Sequence, residues 1–176
     1  MRISCATKIT LLAAVLAISC SLAQAGEFSA IINGKSYHLG ANDDWNEDNY
    51  GLGLEYEFAS ETRWRKRLMA NGFKDSNEEM SYMVGGGLHR NLLSTERLGG
   101  FYLDAGINAF FMTRKDVNGN QPFPGVLPSL TLGNRRVGVN LTYLPRQAVE
   151  KFTDSEMQDD SVDGIVFLQF KVNMGL

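Results

Sequence analysis

Large apolar and small or polar residues alternate along several stretches of the chain. In NYGLGLEYEF (residues 49–58), Tyr, Leu or Phe occupies every even position, and Asn, Gly or Glu occupies every odd position. The same alternation recurs over residues 101–111, 136–143 and 165–174. A period of two is typical of a β-strand whose two faces meet different surroundings. No segment shows a convincing helical period.

The pattern predicts eight strands of comparable length. We place them at roughly 28–39, 50–58, 64–74, 79–88, 99–112, 125–132, 136–143 and 163–174. The first contains Asn33-Gly34, which could instead form a hairpin turn. Most of the segments have the length of about 9–11 residues that a tilted strand needs to cross a membrane. An even number of strands, with eight as the smallest size, is characteristic of outer-membrane barrels.

The polar face of the predicted strands decides between two kinds of barrel. Asp104, Asn108, Asn140 and Gln169 lie on that face and do not resemble one packed soluble core. We therefore predict an all-β fold, an eight-stranded antiparallel transmembrane β-barrel of the outer-membrane type, with its Tyr/Leu/Phe face towards lipid. A soluble, lipocalin-like barrel is the alternative, and it would need the apolar face inside. Two groups of aromatic residues fit the two lipid interfaces: Tyr50, Phe110, Phe111 and Tyr143 near one rim, and Tyr56, Phe58 and Trp64 near the other.

The first 25 residues have the features of a secretory signal peptide. The basic residues Arg2 and Lys8 come before an apolar run, residues 9–18, that is too short to span a bilayer. Ala23-Gln24-Ala25 then fits a signal-peptidase cleavage site. We expect residues 1–25 to be a signal peptide and residues 26–176 to form a single barrel domain that is exported to the outer membrane of a Gram-negative bacterium. Lipidation of Cys20 is the alternative.

Removal of this segment would change the composition of the chain. Both cysteines, Cys5 and Cys20, lie within it, so thiolate metal sites and cysteine nucleophiles are excluded from the mature chain. We expect no cofactor and no metal site. The 17 basic residues lose Arg2 and Lys8, which leaves 15 against 20 acidic residues. A net negative chain does not fit a nucleic-acid partner.

The predicted topology brings one histidine near an Asp-Ser pair. With the N-terminus on the periplasmic side, His38 ends the first strand and Asp75-Ser76 ends the third, so all three lie at the outer rim. A hydroxyl, an imidazole and a carboxylate together can carry out acyl transfer, in which Ser is the nucleophile, His is the base and Asp orients the His. The alternative is that these are ordinary loop residues, because Asp-Ser also occurs at Asp154-Ser155 and Asp160-Ser161.

Two motifs resemble a known family of outer-membrane enzymes. FKDS (residues 73–76), followed by GGG (residues 85–87), and PFPGVLPSLTLGNRRVGVNLTYLP (residues 122–145) are similar to segments of the lipid A palmitoyltransferase family, PagP. Tyr37-His38 is similar to the Trp-His of the family's first strand. The family's second strand carries a proline where this chain has Asn49-Tyr50.

The resemblance implies a monomeric outer-membrane enzyme with a closed apolar pocket. Such an enzyme moves a palmitoyl chain from a glycerophospholipid donor to the lipid A acceptor. The implied catalytic residues are His38, Asp75 and Ser76, and Arg114 resembles a basic residue of the family's third loop. The implied residues of the acyl-chain pocket are Met83, Gly85 and Gly87, with Gly87 at its floor, and those of lateral access for lipid are Pro128 and Pro145.

Two other functions remain open from the sequence. A non-enzymatic barrel would bind lipopolysaccharide or a partner through its loops, and a lipid A deacylase would use similar residues to release a fatty acid. The last outer loop is acidic; it could hold divalent cations that bridge lipopolysaccharide phosphates, or simply be solvated. Its acidic residues are Glu150, Asp154, Glu156, Asp159, Asp160 and Asp163.

Overall fold

The computed structural model describes residues 26–41, 46–115, 118–148 and 162–175. Their strands are β1 (Gly26–Leu39), β2 (Asp48–Phe58), β3 (Trp64–Lys74), β4 (Met80–Ser94), β5 (Tyr102–Thr113), β6 (Phe123–Gly133), β7 (Val137–Pro145) and β8 (Gly164–Asn173). Two short helical turns, Arg97–Gly100 and Asn118–Asn120, lie between strands. Among these residues, no helix is long and apolar enough to cross a membrane. The predicted signal peptide (residues 1–25) and most of the acidic loop lie outside the described residues.

The eight strands form one closed antiparallel barrel. Each strand pairs with its neighbours in sequence, and β8 pairs with β1 to close the wall. Closure pairs each strand with two neighbours, as a strand-built membrane protein requires, and the pairing is incomplete between the upper ends of β6 and β7. The prediction of an eight-stranded antiparallel barrel of the outer-membrane type is confirmed.

The structure decides one alternative that the sequence left open and moves the end of one strand. Asn33-Gly34 is not a hairpin turn: β1 continues through it, and the register shifts between Asn33 and Lys35 against β2. The strand β4 extends to Ser94 instead of ending near residue 88, with another register shift between Asn91 and Leu93. An irregularity of this kind inserts an extra residue into one strand and interrupts the alternation from which the strand was predicted.

The two faces of the wall differ as the alternation predicts. Tyr50, Leu52 and Leu54 are 66%, 71% and 52% exposed on the outside, whereas Glu55 and Asp104 are buried inside. An apolar exterior around a polar interior is the arrangement of a transmembrane barrel and the reverse of a lipocalin-like one. Phe110 is an exception to the predicted aromatic belts, because its ring lines the interior.

The interior has two distinct halves. We call the end that carries Leu39 and Lys74 the upper rim and the end that carries Gly26 and Phe58 the lower rim. The lower half contains a network of buried charges beneath an open polar cavity of about 780 Å³ at the lower rim. Arg67 donates to Glu57 over 2.8 Å and to Asp104 over 2.5 Å. Lys171 donates to Glu55 over 2.6 Å. The upper half instead contains a largely apolar cavity, whose deeper polar residues are Asn108 and Gln169.

Candidate active site

Two potential catalytic side chains meet at the upper rim. His38 lies at the end of β1 and Ser76 follows the end of β3, and Ser76 Oγ is 3.2 Å from His38 Nε2. Both residues are half-buried. This is the separation at which an imidazole can accept the proton of a hydroxyl nucleophile.

Asp75 holds the tight turn that presents Ser76. Its Oδ1 accepts hydrogen bonds from the backbone N–H groups of Asn77 (2.9 Å) and Glu79 (3.2 Å). The backbone adds Asp75 N to Glu79 O at 2.9 Å, and Glu78 has a positive φ of 63°. Ser76 is therefore anchored by a carboxylate that binds the backbone on its C-terminal side, as in an Asx turn.

The second oxygen of Asp75 ties this turn to two neighbouring strands. Oδ2 accepts from Ser81 Oγ of β4 at 2.9 Å and from Arg114 Nε, just after β5, at 3.1 Å. A further ion pair joins Lys115 to Glu79. The structure thus brings Arg114 into the same cluster as the predicted residues Asp75 and Ser76. Four donors use both oxygens of Asp75, an arrangement that positions the turn.

Beneath Ser76 lies an apolar cavity of about 120 Å³. Asp75, Ser76 and Arg114 form part of its polar mouth, and Asn108 and Gln169 are polar groups deeper in the barrel. The apolar lining comes from β3 to β8 and consists of Met69, Phe73, Met83, Phe110, Met112, Leu127, Leu144, Ile165 and Phe167. Methionine side chains are flexible and polarizable, so three of them allow the cavity to adapt to an occupant.

The predicted pocket residues differ in their relation to this cavity. Met83 lines it, whereas Gly85 and Gly87 do not contribute lining atoms. A Cβ at Gly87 would meet Asn108 Oδ1 at 2.3 Å and His89 Cε1 at 2.7 Å. Because Asn108 itself lines the cavity, a side chain at Gly87 would act on the cavity through Asn108.

The wall has a seam between β6 and β7. Pairing of these strands ends at Ser129 and Thr142, and Pro128 is the next residue of β6. Pro145, at the upper end of β7, is in register with Gly164 of β8 and has no partner on β6 within these strands. Proline has no N–H to donate to a ladder, so the two residues predicted for lateral access flank an unpaired stretch of wall.

Several residues of the site were not identified as such from the sequence. Ser81 is fully buried. In the sequence, the only sign of its role is its position on the inward face of β4. Ser36 Oγ and Asn49 Oδ1, both in residues that line the cavity, are buried polar atoms without a hydrogen-bond partner. They are available to the polar part of a bound molecule, since buried polar atoms are normally paired. Among the described residues, no three His, Cys, Asp or Glu side chains cluster as metal ligands would.

Comparison with known proteins agrees with this geometry. A family model described as "Antimicrobial peptide resistance and lipid A acylation protein PagP" matches residues 28–158. A protein of Methylobacillus flagellatus named lipid A acyltransferase PagP is 33% identical over 105 residues, which cover 58% of this chain and 54% of that protein. A protein of the same name from Bordetella pertussis is 30% identical over 103 residues, with 57% and 54% covered.

Another, from Laribacter hongkongensis, is 31% identical over 104 residues, with 58% of this chain and 48% of that protein covered. The aligned part of this chain spans about half the length of the curated relatives it matches. The family model covers well over half of the chain, including His38, Asp75, Ser76 and the seam, and this chain therefore belongs to the PagP family.

Proposed function

We propose that this protein is an outer-membrane lipid A acyltransferase. It moves a long saturated acyl chain, a palmitoyl chain, from a glycerophospholipid to lipid A. The observation that carries the proposal is the Ser76–His38 pair, 3.2 Å apart, at the mouth of an apolar cavity. A reactive pair above an apolar cavity fits an ester substrate with a hydrocarbon tail. The names of the relatives support the same chemistry.

The reaction consists of two acyl transfers. Ser76 Oγ attacks the ester carbonyl carbon of the donor while His38 accepts the Ser76 proton. The carbon–oxygen bond to the glycerol then breaks, and His38 returns the proton to that oxygen, which releases a lysophospholipid. A lipid A hydroxyl next attacks the acyl-serine and gives its proton to His38. Ser76 leaves as the hydroxyl after recovering that proton.

Asp75 acts in this proposal as a positioning residue. Its four hydrogen bonds join the turn, β4 and Arg114 and hold Ser76 over the cavity. Reacting groups must be held close to their productive geometry, because small displacements reduce the rate strongly. This role differs from that of a triad aspartate, which would orient His38.

The seam between β6 and β7 supports entry of the donor through the wall. A phospholipid lies in the bilayer, so its acyl chain reaches the cavity sideways more readily than through the polar mouth. Pro128 and Pro145 flank the unpaired stretch and prevent its closure by N–H donation from those positions. We infer that the upper rim faces outward, where lipid A resides, and that the predicted signal peptide directs export.

The direct test is mass spectrometry of lipid A from cells that express this protein and from cells that express Ser76→Ala or His38→Ala. We expect one added acyl chain with the intact protein and none with either variant. Ser60→Ala is a matched control, because Ser60 lies in the turn at the opposite rim and contacts Thr62. Folding of every variant is checked by heat-modifiable gel migration.

Other outcomes would point to the alternative functions. Loss of an acyl chain from lipid A would identify a deacylase. Unchanged lipid A with a folded protein in the outer membrane would reject the enzyme and favour a barrel that binds lipopolysaccharide or another partner through its loops. An active Ser76→Ala variant would reject the nucleophile and leave the rest of the proposal standing.

A further inference from the structure

We propose that Phe110 of β5, seated in a niche formed by Gly125 of β6, sets the length of acyl chain that the cavity accepts. This inference rests on the proposed acyl transfer and concerns the length of the acyl chain that is transferred. The resemblance drawn from the sequence points to Gly87 instead. The geometry of the cavity favours the Phe110–Gly125 pair.

Phe110 lies between glycines on both neighbouring strands. It is in register with Gly85 of β4 and with Gly125 of β6. A Cβ at Gly125 would lie 2.5 Å from both Cε2 and Cζ of the Phe110 ring. The ring therefore leans against the wall at Gly125, where any larger residue would have to displace it.

The atoms that crowd each glycine show which substitution would reshape the cavity. A Cβ at Gly85 would meet the backbone oxygen of Ala109 at 2.3 Å, so a substitution there disturbs the wall itself. At Gly125 the three nearest atoms all belong to the Phe110 ring. A methyl group at Gly125 can therefore be accommodated by rotation of one side chain, and the space into which that ring rotates is the cavity.

Phe110 also stands directly above the polar end of the cavity. Asn108, two residues further towards the lower rim on the same inward face, lines the cavity and has a buried Oδ1 without a hydrogen-bond partner. This atom is already out of contact with water, and an apolar chain end that reached it would provide no hydrogen bond. The ring of Phe110 is the last apolar side chain on the inward face of β5 above Asn108, so the ring itself sets where an apolar chain stops.

Two substitutions should move the limit in opposite directions. Gly125→Ala pushes the ring into the cavity and should shift the preferred acyl chain shorter by at least one pair of methylene groups. Phe110→Ala removes the ring and should shift it longer by at least as much. The double variant should behave like Phe110→Ala, because the added methyl group then has no ring to displace.

The experiment gives the purified barrel, in detergent micelles, lipid A as the acceptor and an equimolar mixture of phospholipid donors with dodecanoyl, tetradecanoyl, hexadecanoyl and octadecanoyl chains. Mass spectrometry of the lipid A product gives the chain-length distribution for each variant. Phe111→Ala and Gly72→Ala are matched controls, since Phe111 is exposed on the outer wall and a Cβ at Gly72 would meet only the ring of Tyr82, also outside. Opposite shifts in the two test variants, absent in the controls, are the expected result.

A second measurement separates this inference from the proposed function. Displacement of a fluorescent fatty acid by alkyl phosphocholines of increasing length reports the longest chain that binds well, without any reaction. If the protein transfers no acyl chain, the proposed function fails, and the binding series alone decides the present inference. Unchanged chain-length preference in folded Gly125→Ala and Phe110→Ala would overturn it, as would equal shifts in the Phe111→Ala control.

Discussion

The charged network of the lower barrel should make a large contribution to the free energy of unfolding. Arg67 is the central cation: its side chain is 1% exposed and contacts Asp104 at 2.5 Å and Glu57 at 2.8 Å. Its Nη1 also donates to Thr131 over 2.8 Å. The substitution Arg67→Met keeps much of the apolar volume of the side chain and removes its positive charge.

The cost follows from the charges that Arg67→Met leaves behind. Removing one partner of a buried ion pair typically costs about 3–5 kcal/mol, because the other charge remains buried and uncompensated. Glu57 keeps the more distant cations Arg65 (3.5 Å) and Lys171 (3.7 Å), whereas Asp104 is 2% exposed and keeps the Asn91 amide at 2.7 Å. We therefore expect a loss near the lower end, about 3 kcal/mol in the free energy of unfolding.

A double variant tests whether the uncompensated charge is the cause. Arg67→Met with Asp104→Asn removes the charge that was left without a cation and should recover about 1 kcal/mol or more of the loss. The free energies are measured by urea unfolding in lipid vesicles, followed by tryptophan fluorescence and extrapolated linearly to zero urea. Arg90→Met is the control: Arg90 is exposed on the outer face of β4, in register with Trp64 near the lower rim, and its loss should change stability by less than about 1 kcal/mol.

Two results would refute this reasoning. The first is a loss below about 1 kcal/mol for Arg67→Met, which would mean that water or other cations compensate the acids. The second is a double variant that is less stable than Arg67→Met alone. In that case the hydrogen bonds of Asp104, and not its charge, would account for the effect.

Two further predictions concern the proposed enzyme. Asp75→Ala removes the acceptor for four donors, Asn77 N, Glu79 N, Ser81 and Arg114. It should lower the rate of acyl transfer at least about tenfold and also lower the free energy of unfolding by about 1.5–3 kcal/mol or more, since one hydrogen bond to a charged group contributes that much. Kinetics are compared with unfolding curves, and an unchanged rate per folded molecule would mean a purely structural role. Pro128→Ala restores a backbone N–H at the seam. It should slow acyl transfer from phospholipids embedded in a bilayer and leave transfer from short-chain phospholipids in detergent unchanged. Equal slowing with both kinds of phospholipid would argue against lateral entry.

The sequence alone determined the wall of this barrel. A strand of period two has only two faces, so the alternation around Leu52 and Leu54 predicted both the strand and the residues it exposes to lipid. His38, Asp75 and Ser76 could be assigned to one rim because strand order in an antiparallel barrel fixes the end at which each strand stops. The alternation failed where register shifts interrupt it, near Gly34 and Leu92.

Only the tertiary structure decided what lies inside the wall. The sequence does not show which donors bind the carboxylate of Asp75. The folded chain shows that it accepts hydrogen bonds from Ser81 of β4 and Arg114 beyond β5. The seat of Phe110 on Gly125 likewise depends on the register between β5 and β6. A local pattern specifies which face a side chain takes, whereas its contact across the lumen depends on the register and closure of the whole barrel, because these fix which inward side chains face one another.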